Sequence, residues 1–212
     1  MNQYKRVFHE LYDRSLKDSA DYAEKNMMNS ILMPYEAKDP MYSYAIKQAS
    51  LDGFFAEFGV HQGVSINKIA RLINNKKIYG FDSFVGLKED WRGGEFPKGE
   101  FSTDGVLPKV LENVELVSGY FDESLPNWLE NNNGVFAFIN IDCDTYESTH
   151  TILNLLGNKR IVSGTIILFD EYFGYPNWRE HEYKAWQDFV REHKLSYEYK
   201  AINQMQVLVR IL

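Results

Sequence analysis

The sequence has almost no cysteine, since Cys143 is the single thiol in 212 residues. One cysteine cannot form a disulfide within the chain, and such low usage is typical of a reducing compartment. The N-terminus lacks the apolar segment of a secretory signal, and no apolar run approaches the ~20 residues needed to span a bilayer. We therefore expect a cytoplasmic protein that does not interact with a membrane.

Positive charge is also scarce. Lys and Arg number 23 against 30 Asp and Glu, which gives a formal net charge of −7 and a pI near 5.3. A nucleic-acid backbone requires a basic face, so this composition argues against DNA or RNA as a partner. Hydrophobic residues make up 44% of the chain, enough to bury a full core. A small molecule or another protein is the expected partner.

Several catalytic signatures are missing. The sequence has no Gly-x-Gly-x-x-Gly stretch, no His-x-x-x-His or Cys–His pattern and no Gly-x-Ser-x-Gly elbow. These absences argue against a dinucleotide-dependent oxidoreductase, a zinc enzyme and a serine hydrolase. Internal repeats and low-complexity segments are absent as well, so a repeat architecture is not expected.

A buried strand, a glycine-containing turn and a helix organise the rest of the chain. The apolar run Phe54–Gly59 predicts the strand, and apolar residues recur at helical spacing in Val64–Ile73. Gly59 and Gly63 allow a ligand to approach the main chain closely, and the helix behind them offers free N–H groups. Glu57 at the end of the strand favours a cationic or hydroxyl-bearing ligand over a phosphate.

Strand and helix signals alternate from this strand onward, which predicts an α/β fold with a mostly parallel sheet and helices on both faces. The last two strands are separated by only a few residues, so they must form an antiparallel hairpin at one edge of the sheet. The predicted strands are Phe54–Gly59, Lys77–Asp82, Val114–Gly119, Val135–Ile141, Gly164–Phe169, Tyr197–Ala201 and Gln206–Leu212. The predicted helices are Met1–Ala23, Tyr42–Ser50, Val64–Ile73, Glu123–Leu129, one ending at Leu156, and Arg179–His193, with Asn26–Pro40 irregular.

The chain is expected to divide into two parts. Residues 1–50 form a helical extension, and residues 51–212 form the domain on which it packs. The amphipathic N-terminal helix is the expected interface if the chain forms a homo-oligomer.

Acidic residues stand at the carboxyl ends of several predicted strands, the edge where sheets of this kind bind ligands. Asp82 lies 19 residues after Gly63, a position from which a carboxylate accepts hydrogen bonds from ribose hydroxyls. Asp142, Asp170 and Glu171 can supply oxygen ligands to Mg²⁺. The alternative is that these acids cap the helices that follow them.

Asp144 is a candidate general base, because a carboxylate can take a proton from a hydroxyl acidified by a metal. His61, His150 and His181 are the alternative bases.

The segment Ser83–Pro108 is too long for an ordinary connection and predicts a lid over the site. It contains Gly86, Gly93, Gly94, Gly99 and Gly105, with Trp91, Phe96 and Phe101 between them.

Four stretches together resemble the class I S-adenosylmethionine-dependent methyltransferases, and among them the macrocin O-methyltransferase group, whose members methylate sugar hydroxyls of natural products. The stretches are Glu57-Phe58-Gly59-Val60-His61-Gln62-Gly63, Tyr79-Gly80-Phe81-Asp82-Ser83-Phe84-Val85-Gly86-Leu87, Asp142-Cys143-Asp144-Thr145-Tyr146-Glu147-Ser148-Thr149 and Phe169-Asp170-Glu171-Tyr172, with Asp90-Trp91 after the second. The resemblance covers roughly residues 50 to 212. It implies a Rossmann-like sheet and transfer of a methyl group to a hydroxyl.

The resemblance also implies roles for individual residues. The cofactor S-adenosylmethionine would be bound by Glu57, Gly59, Gly63, Ser65, Asp82, Ser83, Ser118, Gly119, Tyr120 and Asp142. Mg²⁺ would be bound by Asp142, Asp170 and Glu171, and Asp144 and Asp142 would be the catalytic residues. The chain departs from the family's pattern at His61, at Val64 and at Glu171, where Asp is usual.

Three other functions remain open at this stage. The acceptor could be a phenol or catechol instead of a sugar. The sheet could serve a nucleotide-dependent oxidoreductase, or the chain could be a cofactor-binding partner protein without turnover.

Overall fold

Short apolar runs form the strands of one sheet in the computed structural model, which describes residues 3–34, 38–74, 76–92 and 96–212. The described residues form eight strands and six α-helices. The strands are β1 (Ile31–Leu32), β2 (Phe54–Phe58), β3 (Ile78–Asp82), β4 (Val114–Ser118), β5 (Phe136–Ile141), β6 (Ile166–Phe169), β7 (Tyr197–Ile202) and β8 (Val207–Ile211). The helices are α1 (Gln3–Asn26), α2 (Lys38–Gln48), α3 (Val64–Leu72), α4 (Phe121–Asn131), α5 (Tyr146–Arg160) and α6 (Glu182–His193), with a 3₁₀ turn at Trp178–Glu180.

The strand order places a topological switch point at the centre of the sheet. The order is β1-β7-β8-β6-β5-β2-β3-β4, and β8 runs antiparallel to both β6 and β7. The chain proceeds from β2 outward to β4, then returns to β5 on the other side of β2. Ligands bind in the crevice that such a reversal opens beyond the carboxyl ends of the strands. The predicted parallel sheet with a C-terminal antiparallel pair is confirmed.

Two hydrophobic cores cover the two faces of the sheet, which explains why the central strands are apolar throughout. All six residues of β5 are buried. Apolar residues of α4, α5 and α6 pack on one face, and those of α2 and α3 pack on the other. Burial on both faces requires near-continuous apolar strands, so any polar residue within one needs a partner inside the protein.

Two predictions for the N-terminal region were wrong. The stretch predicted to be irregular contains β1, which pairs in parallel with β7, and a two-residue strand is too short to show alternation. Helix α2 begins at Lys38, four residues before the predicted start. Pro40 therefore lies in the first turn, where its missing N–H requires no helical partner.

Polar contacts fasten the C-terminal half of helix α1 to the rest of the protein. The Arg179 guanidinium donates to both Asp18 carboxylate oxygens at 2.8 and 2.9 Å, and the hydroxyls of Tyr22 and Tyr199 lie 2.8 Å apart. Met1 and Asn2, with which the predicted helix begins, lie outside the described residues. No described helix is long and apolar enough to cross a membrane.

The described part of the segment 83–108 is held together by its own turns. The Leu87 N–H donates to the Glu100 carbonyl at 3.0 Å, and the Gly99 N–H donates back to the Leu87 carbonyl at 2.9 Å. The rings of Trp91 and Phe96 stack at 5.4 Å. Gly93 and Gly94 lie outside the described residues. A lid movement of this segment remains a prediction.

Candidate active site

A cavity of about 790 Å³ opens at the switch point, beyond the carboxyl ends of the central strands. Its volume lies within the range of small-molecule sites. The predicted site residues that line it are Gly59, Ser65, Asp82, Ser83, Tyr120, Asp142, Asp144, Asp170 and Glu171. The other predicted residues, all in the described part of the chain, do not border it: Glu57, Gly63, Ser118 and Gly119. Trp91, Phe96 and Phe101 of the segment 83–108 line the cavity as well.

Gly59 brings the ends of β2 and β5 into direct contact. Its φ is 96°, and a β-carbon built there would lie 1.7 Å from the carbonyl oxygen of Asp142. Only glycine tolerates both the backbone angle and this approach. The requirement for glycine at the end of β2 therefore comes from the neighbouring strand as well as from any ligand.

Asp82 binds the turn that follows β2. Its Oδ2 accepts hydrogen bonds from the N–H groups of Val60 and His61, both at 2.7 Å, and its Oδ1 accepts one from Phe84 at 2.7 Å. His61 has a φ of 46°, a left-handed conformation that costs a non-glycine residue roughly 1–2 kcal/mol. The Asp82 carboxylate offsets this strain, a positioning role that the sequence did not reveal.

Glu57 is completely buried beneath the turn. Its Oε1 accepts a hydrogen bond from the Asn140 amide at 2.9 Å, and its Oε2 has no partner among the described residues. Burial raises the pKa of Glu57 to about 8, although the side chains of Ser65 and Asn140 act in the opposite direction. A buried carboxylate oxygen without a donor is free to accept a hydrogen bond from a ligand or a water molecule.

The remaining predicted cofactor residues cluster near the ends of β3 and β4. The Ser83 hydroxyl donates to the Gly86 carbonyl at 3.1 Å, and the Gly119 N–H donates to the Asp82 carbonyl at 3.0 Å. Ser118 pairs with Asp82 in the sheet, and its side chain is exposed. Tyr120, which follows Gly119, lines the cavity.

Three carboxylates meet at one end of the cavity, and we call them the acid triad: Asp142, Asp170 and Glu171. One oxygen of each lies within 4.8 Å of the others. Asp170 accepts hydrogen bonds from the Lys38 ammonium at Oδ2 and from the Gln206 amide at Oδ1. Oε2 of Glu171 is buried and has no partner among the described residues. None of the three caps α5, whose N-terminus is capped by the Thr145 hydroxyl.

The carboxyl groups of the acid triad are buried close together and repel one another when they are ionised. Burial raises the pKa values of Asp142 and Glu171 far above the ordinary range, and repulsion by Asp170 adds to both shifts. Burial alone would lower the pKa of Lys38, but attraction by Asp170 and Asp142 raises it. Several carboxyl groups this close require protons or a cation. Lys38 is the basic side chain whose ammonium contacts the triad in the described structure.

Asp144 combines a strained backbone with a shifted pKa. Its φ is 64°, in the left-handed region that Asp tolerates better than most residues. Burial and the nearby Asp170 charge raise its pKa to about 7, which is suitable for a general base at neutral pH. The alternatives His150 and His181 are described residues that do not border the cavity, whereas His61 does.

Several residues of the site were not predicted from the sequence. Asn140 is a polar residue inside an apolar strand, a signal that could have been recognised. Glu182 is buried at the start of α6, and its Oε2 accepts a hydrogen bond from the Glu171 N–H at 3.1 Å. Tyr42 of α2 lines the cavity with a buried hydroxyl that has no described partner. Burial and the Asp170 charge raise the pKa of Tyr42, so its hydroxyl remains a donor.

Comparison with solved structures identifies the fold. The apo structure of CalS11, a TDP-rhamnose 3'-O-methyltransferase of calicheamicin biosynthesis, is 22% identical with a TM-score of 0.60, and the match covers 81% of this chain and 77% of that chain. The O-methyltransferase NovP is 18% identical with a TM-score of 0.61, over 82% of this chain and 78% of that chain. An O-methyltransferase from Bacillus cereus in complex with SAH is 14% identical with a TM-score of 0.54, over 98% and 97% of the two chains. The Rossmann-like methyltransferase fold is confirmed.

Sequence comparison identifies the family. No curated protein sequence matches the chain. The family model described as Macrocin-O-methyltransferase (TylF) matches residues 100–211, a stretch that contains the acid triad and Asp144. The glycine turn and Asp82 lie before the matched residues. Because the match spans more than half of the chain, the protein belongs to the macrocin O-methyltransferase (TylF) family of enzymes.

Proposed function

We propose that the protein transfers a methyl group from S-adenosylmethionine to a hydroxyl of a sugar or a sugar-bearing small molecule, with Mg²⁺ bound by the acid triad. The observation that carries the proposal is that Asp144 and the acid triad line one cavity, while Glu57 lies buried beneath the adjoining glycine turn; Oε2 of Glu57 and Oε2 of Glu171 have no partners among the described residues. Membership of an O-methyltransferase family supports the reaction type. CalS11, whose name specifies a TDP-rhamnose substrate, supports a sugar acceptor.

The residues around the glycine turn fit the methionine end of the cofactor. When bound, S-adenosylmethionine supplies an electrophilic methyl group. The unpartnered Oε2 of Glu57 offers an acceptor for its amino group, and Ser65, whose side chain acts to lower the pKa of Glu57, lines the cavity. Asp82, Ser83 and Tyr120 would then face the ribose and adenine.

The donor set of the triad fits a hard divalent cation, because such ions prefer carboxylate oxygens. Asp142, Asp170 and Glu171 would hold Mg²⁺, whose charge would acidify the acceptor hydroxyl. Asp144 would take the hydroxyl proton as the nucleophilic oxygen forms. With a pKa of about 7, a large fraction of the Asp144 side chains are ionised at neutral pH and can act as the base.

The cavity wall around the triad suits a polyhydroxylated acceptor. Glu147, Ser148 and Thr151 of α5 line the cavity with polar groups, and Phe96, which is partly exposed, offers an aromatic surface on which a sugar ring can pack. The partly exposed Phe96 ring, which stacks on Trp91, would also accept a phenol or catechol, which is the second candidate acceptor. Family membership decides against the oxidoreductase alternative.

Transfer of a deuterated methyl group tests the proposal. The protein is incubated with methyl-deuterated S-adenosylmethionine and separate panels of sugar nucleotides and catechols, and mass spectrometry detects labelled products. We expect label in a sugar nucleotide. Label only in catechols would replace the sugar by the second candidate, and a protein that binds no S-adenosylhomocysteine would contradict the proposal.

The same assay with EDTA tests the metal. Removal of divalent cations is expected to abolish turnover, and added Mg²⁺ to restore it, since the acceptor hydroxyl would otherwise keep an ordinary alcohol pKa. Undiminished turnover in EDTA would remove the metal from the mechanism and leave the methyl transfer intact.

A further inference from the structure

Lys38 contacts the acid triad from the N-terminal end of helix α2. It is the first residue of α2, and its ammonium donates to Oδ2 of Asp170. The Lys38 side chain is 53% exposed, whereas that of Asp170 is 2% exposed. A side chain anchored at the surface therefore places its positive charge on a buried carboxylate.

The surroundings show that the triad lacks positive charge without this contact. Gln206 occupies the other oxygen of Asp170 with a neutral amide. Oε2 of Glu171 and the hydroxyl of Tyr42, one helical turn after Lys38, are buried and without partners among the described residues. The ammonium is thus the counter-charge that the described protein supplies to three neighbouring carboxyl groups.

We propose that Lys38 is a built-in counter-ion that competes with the divalent cation for the acid triad. The inference rests on the magnesium part of the proposed function. In the metal-free protein Lys38 neutralises Asp170, and a metal ion that binds the triad displaces the ammonium into solvent.

Competition follows from charge and from accessibility. Two cations that share Asp170 Oδ2 repel each other strongly in a site shielded from water. The ammonium can leave easily, because its side chain is half-exposed and regains hydration in solvent. The carboxyl groups cannot move apart in the same way, since Asp142 and Asp170 sit at the ends of the paired strands β5 and β6. Lys38 therefore weakens metal binding while it stabilises the empty site.

Mn²⁺ binding to Lys38→Met, measured by the electron paramagnetic resonance of free Mn²⁺, tests this proposal. We expect the Kd of the variant to fall about tenfold or more, the change produced by 1.4 kcal/mol. Lys68→Met is the matched control, because Lys68 lines the same cavity but its ammonium contacts Asp39 at 2.6 Å. That control removes the same charge and should change the Kd by no more than about twofold, because an exposed charge is screened.

A second measurement uses thermal unfolding. Without metal, Lys38→Met should unfold at a lower temperature than the wild-type protein, and Mn²⁺ should raise its Tm by more than it raises that of the wild type. Lys38→Gln, which keeps a hydrogen-bond donor without the charge, should behave like Lys38→Met.

Each other result overturns the proposal in a distinguishable way. An unchanged or higher Kd in Lys38→Met shows that Lys38 does not compete, while Mn²⁺ binding by the wild type still supports the metal site. An equal fall in the Kd for Mn²⁺ in Lys38→Met and Lys68→Met shows that removing any nearby positive charge strengthens metal binding, and that the contact between Lys38 and Asp170 has no special role. If neither the wild type nor Lys38→Met binds Mn²⁺, the magnesium part of the proposed function fails as well, and S-adenosylhomocysteine binding shows whether the rest survives.

Discussion

Replacing Asp144 by Asn is expected to lower kcat by about 10²–10⁴-fold, the usual contribution of a general base. Asparagine has nearly the same shape and tolerates the left-handed φ of 64° at this position. The change therefore removes the proton acceptor with little disturbance of the backbone. Cofactor affinity should stay the same, because Asp144 is not among the residues proposed to bind the cofactor.

Asp104→Asn is the matched control for this substitution. Asp104 also has a left-handed φ, 55°, and it is exposed and does not line the cavity. A drop in kcat in Asp144→Asn and not in Asp104→Asn isolates the chemistry from the backbone conformation. If Asp144→Asn turns over at the wild-type rate, another group is the base, and His61 is the cavity-lining candidate.

The pH profile gives the same prediction a second readout. The pKa of Asp144 is raised to about 7 by burial and by Asp170. A base must be ionised, so wild-type kcat should fall as the pH drops through the pKa of Asp144, and Mg²⁺ bound by Asp170 would move this fall below pH 7 because its charge offsets the Asp170 repulsion. The residual activity of Asp144→Asn should lack this acidic limb.

Replacing Glu57 by Gln is expected to weaken S-adenosylhomocysteine binding by roughly 10- to 100-fold, the loss of one hydrogen bond to a charged group. Glutamine keeps the acceptor that Asn140 uses, but its amide nitrogen is a donor and cannot accept a hydrogen bond from the ligand's amino group. Isothermal titration of the wild type, Glu57→Gln and the exposed Glu112→Gln control measures the difference. Equal affinities in the wild type and Glu57→Gln would place the amino group elsewhere.

The same variant should be more stable than the wild type at alkaline pH when no ligand is bound. The pKa of Glu57 is about 8 in the folded protein because of burial, against an ordinary value of 4.5. A group whose pKa is raised by folding contributes stability below its unfolded pKa, and this contribution is lost as the pH rises toward 8. Glutamine does not ionise and avoids the loss, which amounts to about a few kcal/mol for a group this buried.

Urea unfolding of both proteins at pH 5 and at pH 9 measures this effect. We expect Glu57→Gln to gain stability relative to the wild type between the two values, whereas Glu112→Gln should follow the wild type. A variant that is less stable at pH 9 would show that the ionised carboxylate has a partner in the empty protein.

The parallel strands explain why so much of the site was predictable. Asp142, Asp144, Asp170 and Glu171 each follow an apolar run that is buried on both faces, and such strands end at one edge of the sheet. Their convergence therefore follows from local pattern and topology together. The family match adds the reaction type. Because it begins at residue 100, the interpretation of the glycine turn rests on the fold and not on the family match.

The residues that escaped prediction reach the site from distant parts of the chain. Lys38 belongs to α2. The start of this helix was predicted too late because Pro40 is unfavourable inside a helix, although it is tolerated in the first turn. Gln206 and Glu182 come from elements predicted only as a strand and a helix, with no local signal that their side chains turn toward the acids. For Asp82 the sequence predicted only part of the role. Its position indicated a ligand, whereas in the structure Oδ2 also accepts hydrogen bonds from the N–H groups of Val60 and His61.

A crystal structure of the protein with S-adenosylhomocysteine and Mg²⁺ is the most direct test of the central claim that the cofactor and the metal bind in one cavity, the cofactor above Glu57 and the metal at the acid triad. We predict that the ligand's amino group will contact Glu57, that its sulfur will face Asp144, and that the metal will lie between Asp142, Asp170 and Glu171. A ligand bound outside this cavity, or a Glu57 carboxylate still without a donor, would contradict the account.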